Sequence, residues 1–147
     1  MQTELIYQQT VSFNSDVVRQ FSIITGDLNP IHIDPVFALN SPFKKNIVHG
    51  FLAGAVFSKI LGMDLPGKGS IYLFQDLNFL KPIFFDTDYL AEVKVEHIDY
   101  LTSKITLITR IYSFDRSSIC IEGTAKIKNV DWVKKLLETN NGFINQK

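Results

Sequence analysis

The period of the apolar residues changes near Gly69, and that change limits the fold of this chain more than any other feature. From about His49 to Met63 the residues Leu52, Val56, Ile60 and Met63 recur at helical spacing, while Gly54 and Ala55 allow close backbone approach on another face. A helix that is apolar almost all round belongs inside a molecule. After the break at Pro66, Gly67 and Gly69 the period falls to two, and strands are predicted over 70–80, 88–98, 104–112 and 118–130. In the second of these, Ala91, Val93 and Val95 share one side and Glu92, Lys94 and Glu96 the other, the pattern of a sheet with one wet face. In the last, Ile119, Ile121 and Ile127 share a parity, with Gly123 and Ala125 between them. Short linkers containing Asp, Ser or Thr make these strands antiparallel neighbours. One buried helix followed by antiparallel strands is an α+β pattern in which the sheet wraps the helix. Such a sheet leaves edges that a second copy would cover, so a homodimer is expected.

The N-terminal third is read from its punctuation. Residues 4–13 alternate as a half-buried strand, and Asn14 and Ser15 offer cap oxygens to a helix carrying Val17, Val18, Phe21 and Ile24. That helix stops near Gly26. Residues 27–30 form a turn, since Pro30 holds Asn29 extended. Asp34 before Pro35 starts a short helix over 35–39, ended by Asn40, Ser41 and Pro42. A short helix is expected over 131–137, with the final ten residues frayed. No repeat or linker divides the 147 residues, which are expected to form a single domain.

Charge and cysteine content exclude several classes of function. Fifteen Lys and Arg balance fifteen Asp and Glu, so no broad basic field exists to hold nucleic acid or an anionic membrane. Cys120 is the only cysteine, which rules out an internal disulfide and a cysteine metal cluster and fits a reducing compartment, by default the cytoplasm. The N-terminus lacks the cationic and apolar regions of a secretory signal. The most apolar stretch, 47–63, is shorter than a membrane span and is interrupted by His49, Ser58 and Lys59.

The densest set of reactive side chains is Thr25, Gly26, Asp27, Leu28, Asn29, Pro30, Ile31, His32. Pro30 stiffens the backbone between the Asp27 carboxylate and the His32 imidazole, so both can be held toward one water, as general acid/base chemistry requires. For either residue alone the plainer account is a turn aspartate and a half-buried histidine. His49 at a helix start reads as structural, with direct chemistry as its rival role, and His97 beside Glu96 reads as surface. The three histidines are widely separated in sequence and none is paired with a carboxylate at metal-ligand spacing, so no metal site is expected. Residues 62–68 spell most of a phosphate-binding G-x-x-x-x-G-K, but Gly69 follows where Ser or Thr is needed, and the segment runs from helix to strand instead of strand to helix. It is read as a loop.

Gly26, Asp27, Asn29, Pro30 and His32, as G-D-x-N-P-x-H, resemble the signature of the MaoC-like (R)-specific enoyl-CoA hydratases. The order downstream agrees: Asp34, Pro35, Phe37 and Ala38, then Ile47, Val48, His49 and Gly50, then residues 65–73, then Phe79, Lys81 and Pro82. The likeness covers about residues 5–128 and is closest to the short single-domain members that supply (R)-3-hydroxyacyl-CoA for polyhydroxyalkanoate synthesis. It implies a hot-dog fold and hydration of a trans-2-enoyl-CoA with no cofactor beyond the coenzyme A of the substrate. It places the catalytic pair at Asp27 and His32 and the oxyanion-hole amide at Gly50. A helix N-terminus suits that last role, because its N–H groups lack intrahelical partners and its dipole favours negative charge. Asn29 is expected to fix the loop or touch substrate, and Ser58, about two turns beyond Gly50, resembles an active-site serine of the family. Lys44, Lys45, Lys68 and Lys81 are candidates for the coenzyme A phosphates.

Thr25 stands where many relatives have Ser, and Phe74 is larger than expected after Tyr72 and Leu73; facing the acyl tunnel it would shorten the accepted chain. Three rival readings stand beside this one. A hot-dog thioesterase would place a carboxylate on the central helix, which has none from Gly50 to Met63. A dehydratase acting on acyl carrier protein would use the same residues. A non-catalytic acyl-CoA-binding module would not need both Asp27 and His32.

Overall fold

A computed structural model describes residues 5–144, with side chains as far as Thr139. The chain runs β1 (Ile6–Val11), α1 (Ser15–Thr25), α2 (Pro30–Ile33), α3 (Pro35–Leu39), α4 (Gly50–Met63), β2 (Ile71–Gln75), β3 (Asn78–Phe79), β4 (Tyr89–Asp99), β5 (Lys104–Ser113), β6 (Ile119–Lys128) and α5 (Val130–Ile144). The six strands form one antiparallel sheet in the order β1-β4-β5-β6-β2, with β3 also paired to β6.

Alternation decides which face of the sheet meets the helix. Ala91 and Val93 of β4, Ile105, Leu107 and Ile111 of β5, and Ile121, Ala125 and Ile127 of β6 are buried and join Ala53, Phe57, Ile60 and Leu61 of α4 in one core. Burying one such aliphatic or aromatic side chain contributes about 1.5–3 kcal/mol. The sheet thus wraps α4, as the change of period predicted. The opposite face is less uniformly wet than its alternation suggested. Glu92 is buried there, accepting hydrogen bonds from Gln8 Nε2 at 2.6 Å, Tyr112 Oη at 3.2 Å and Arg116 Nη2 at 2.6 Å. These donors hold its carboxyl below the ordinary glutamate range against the opposing effect of burial.

Three boundaries differ from expectation for identifiable reasons. His32 lies on a helical turn, α2, that begins at the last residue of the turn expected over 27–30, because Asn29 Oδ1 accepts the Ile31 N–H at 3.3 Å and Pro30 occupies the first helical position. The strand expected over 70–80 is split into β2 and β3 by Asp76, whose side chain takes the Thr124 N–H from the ladder while its own N–H donates to Thr124 O at 3.1 Å. The C-terminal helix is longer than 131–137. Asn129 Oδ1 accepts from Trp132 N at 3.0 Å to start it, and Val133 anchors it in the core. The final ten residues, expected to be frayed, are instead helical as far as Ile144, and residues 145–147 lie outside the described residues.

Candidate active site

Local hydrogen bonding delivers Asp27 to the site. Asn14 Oδ1 accepts the Val17 N–H at 2.9 Å to open α1, and Gly26 closes it at φ +76°, in the left-handed region that favours glycine. Thr25 Oγ1 accepts the Asp27 N–H at 3.2 Å, and Asp27 Oδ1 accepts the Asn29 N–H at 3.2 Å, which orients the carboxylate. Asn29 therefore fixes the loop twice, through its N–H and through its cap on α2. It also borders a separate groove of about 670 Å³ between α2, α3 and Phe43.

His32 is half-buried, and its Nδ1 lies 2.8 Å from Ile47 O. A carbonyl oxygen only accepts, so Nδ1 carries the hydrogen and Nε2 keeps its lone pair. Burial holds the imidazole below its ordinary value of 6.5; the Ile47 hydrogen bond opposes this, the neighbouring His49 adds to it and Asp27 opposes it. The segment carrying Ile47 is itself pinned, by Ile47 N to Ile31 O at 3.3 Å and Val48 N to Ile83 O at 2.8 Å.

Gly50 follows directly. The preceding His49 gives no side-chain cap to α4, so the first-turn amides are left without a side-chain acceptor. A cavity of about 560 Å³ opens there, bordered by His32, Gly50, Phe51, Phe79, Lys81 and Ile121 among others. A methyl group at Gly50 would meet Phe79 Cε1 at 2.8 Å, so glycine is what lets the Phe79 ring lie over the helix start. One cavity thus has the His32 imidazole and the start of α4 in its wall.

The structure brings Asp27 and His32, the pair expected to do acid/base chemistry, together with His49: single side-chain ligand atoms of the three all lie within 4.8 Å of one another. This corrects the view that the histidines stand apart. His32 and His49, distant in sequence, stack with ring centroids 3.9 Å apart and planes tilted by 30°. The trio has metal-like donor types, but His49 Nε2 is 3.2 Å from Asp27 O, a carbonyl that demands a hydrogen on that nitrogen. That nitrogen therefore has no lone pair to give a cation.

Other candidates fall elsewhere. Ser58 is exposed on α4 and borders neither cavity; it shares a helix face with Phe51 and Ala55, also exposed. Of the four lysines only Lys81 borders the 560 Å³ cavity, where Nζ donates to Ser118 Oγ at 2.7 Å. His97 is exposed. Asn129 Nδ2 donates to the carbonyls of Gly67 at 3.4 Å and Lys68 at 3.1 Å. Those carbonyls face a donor, the opposite of an anion cradle, so 62–68 ends in an ordinary loop.

Residues 1–113 match the family described as MaoC like domain. The chain belongs to this family. Among its relatives is an (R)-specific enoyl-CoA hydratase from Aeromonas caviae, 40% identical over 116 residues that span 79% of this chain and 86% of that protein. Two solved structures agree. One, an (R)-hydratase from A. caviae involved in PHA biosynthesis, superposes with a TM-score of 0.82 at 37% identity, covering 87% of this chain and 96% of its own. The other, an R-hydratase from Pseudomonas aeruginosa in its unliganded form, gives a TM-score of 0.79 at 30% identity, covering 86% and 81%. The sheet around α4 in this MaoC-like chain is accordingly a hot-dog fold.

Proposed function

We propose that this MaoC-like chain is a hydro-lyase that adds water across the double bond of a trans-2-enoyl-CoA, giving the (R)-3-hydroxyacyl-CoA, and catalyses the reverse dehydration. The observation that carries this reading is the convergence of the Asp27 carboxylate and the His32 imidazole, with His32 in the wall of the cavity that starts at Gly50. The hydratase relatives support the substrate class. Water held between the pair gives a proton to His32 Nε2, the nitrogen left free by the Ile47 hydrogen bond. Its oxygen bonds to the β-carbon, the π electrons move onto the thioester oxygen, and the Gly50 N–H stabilises that enolate. The pair then returns one proton to the α-carbon on the same face, so addition is syn. Asp27 and His32 share this transfer as one coupled unit. No step calls for a cofactor, a metal or nucleic acid.

The working form in this proposal is a cytoplasmic homodimer. Ile71, Tyr72, Leu73 and Phe74 leave an apolar edge at β2, and Phe51 is exposed at the start of α4. Among the described residues no helix is long and apolar enough to cross a membrane.

Hydration of crotonyl-CoA, followed as loss of the absorbance of the conjugated thioester, tests the reading. Asp27→Asn and His32→Ala should each lower kcat by about a hundredfold to ten-thousandfold. Parental rates in both folded variants would reject the chemistry. An S product in chiral analysis would reject the facial assignment, and a much higher kcat/KM on the crotonyl ester of acyl carrier protein would transfer the same chemistry to that carrier.

A further inference from the structure

His49 contacts both Asp27 and His32 without bordering the cavity. It is 2% exposed. Its Nε2 lies 3.2 Å from Asp27 O, 3.2 Å from Ser22 Oγ and 3.9 Å from Asp27 Oδ2, and its ring stacks on that of His32 at 3.9 Å and packs against Phe21 at 5.0 Å. Its peptide leads directly into Gly50. A histidine serving only to fill the core would be indifferent to which of its nitrogens faced which group. Here the choice is fixed, because the Asp27 carbonyl requires the Nε2 hydrogen, whereas the buried Nδ1 finds no hydrogen-bond partner among the described residues. The tautomer is therefore set by the loop that carries the carboxylate.

We infer that His49 is a positioning residue: its Nε2–H tethers the main chain at Asp27 to the start of α4, its ring backs the ring of His32, and its peptide sets the start of the helix that presents the Gly50 amide. The inference rests on the hydration reading and adds to it the group that keeps the two halves of the acid/base pair in register. His49 is not a catalytic base in this arrangement. Its Nε2 is committed to a hydrogen bond, and burial keeps it from water in the cavity. Displacing a reacting group by about 1 Å is enough to cost roughly a hundredfold in rate, so loss of the tether reaches the chemistry without any contact to substrate.

Two variants separate the tether from the ring. His49→Phe keeps an aromatic surface against His32 but has no donor. His49→Gln has no ring but carries an amide N–H where Nε2 stood. On crotonyl-CoA, His49→Phe should lose about a hundredfold in kcat with KM within about twofold of the parent, and His49→Gln should recover to within about tenfold of the parent. Rates are taken per folded protein, with thermal melts alongside. Should His49→Phe fail to fold, His49→Asn replaces it, since its shorter side chain stops short of Asp27 O. Parental kcat in the donor-free variant, with only a lowered Tm, would show a packing role and overturn the inference. So would His49→Gln no better than the donor-free variant. An inactive parent would instead strike the hydration reading itself, which keeps the two failures distinct.

Discussion

In the proposed mechanism, how closely a thioester oxygen can approach the α4 amide depends on the absence of one carbon atom. At Gly50 an added Cβ would lie 2.8 Å from Phe79 Cε1 and 3.1 Å from Cδ1, so Gly50→Ala must displace the Phe79 ring, which borders the same cavity as Gly50 and His32. Steady-state kinetics on crotonyl-CoA should show kcat/KM reduced by about a hundredfold, the scale of one lost oxyanion donor. The melt should change little, because alanine is favoured over glycine in a helix by about 0.5–1 kcal/mol, which offsets part of the clash. His32 makes a second prediction at this scale. Its base form is the unprotonated one, and burial lowers its pKa from 6.5, so the rising limb of kcat/KM against pH should have its midpoint below that value. The sign for stability follows the same shift. Below pH 6.5 the unfolded chain binds the proton before the folded one does, so this group makes stability fall as pH drops from 6.5 toward the lower folded value, and adds nothing above it. Replacing His32 by Gln should flatten both curves in that window.

At the scale of elements, the junction between β2 and β3 depends on Gly123 of β6. A Cβ there would run into the carbonyl oxygen of Asp76, a residue held by two hydrogen bonds to Thr124, one from its own N–H and one to its side-chain carboxylate. Gly123→Ala should therefore destabilise the fold by about 1–3 kcal/mol, read as a lower urea midpoint with an unchanged slope. The same junction shows what sequence could and could not reveal. The helix near 49–63 and strands β4, β5 and β6 were legible because long apolar runs of one period outweigh local detail. Asp27 and His32 were legible because a stiff five-residue spacing brings them together locally. Asp76 was not, since a side chain standing in for a ladder partner leaves an apolar alternation unbroken. The stacking of His49 on His32 was hidden as well, being a product of tertiary folding between segments 17 positions apart. Ser58 was placed by its resemblance to a family serine and its spacing from Gly50, and an all-apolar helix does not disclose which of its faces the chain itself will cover. Glu92 looked solvated by alternation because Arg116, which buries it, arrives from the β5–β6 turn.

Across the whole molecule the two edges of the sheet are chemically different, and this decides how two copies would meet. At one edge β1 presents Gln8 and Gln9, already engaged with Glu92 and Lys59. At the other, β2 presents Tyr72, Leu73 and Phe74, each at least 40% exposed. An apolar strand with unpaired backbone groups is a surface that natural proteins cover. Exposed apolar residues continue from it through Phe79 and Leu80, which border the cavity, as does Phe51 at 74% exposure. A second copy on this side would bury the strand and roof the open flank of the site together. In a two-fold interface each substitution enters twice, so Leu73→Lys places two like charges near the axis. Light scattering should then report the monomer mass, and crotonyl-CoA hydration should fall with it while the far-ultraviolet circular dichroism stays unchanged. A Leu73→Lys protein that keeps twice the chain mass would move the interface to another face. A monomer with parental kcat would show that the roof is dispensable, leaving the chemistry entirely within one chain.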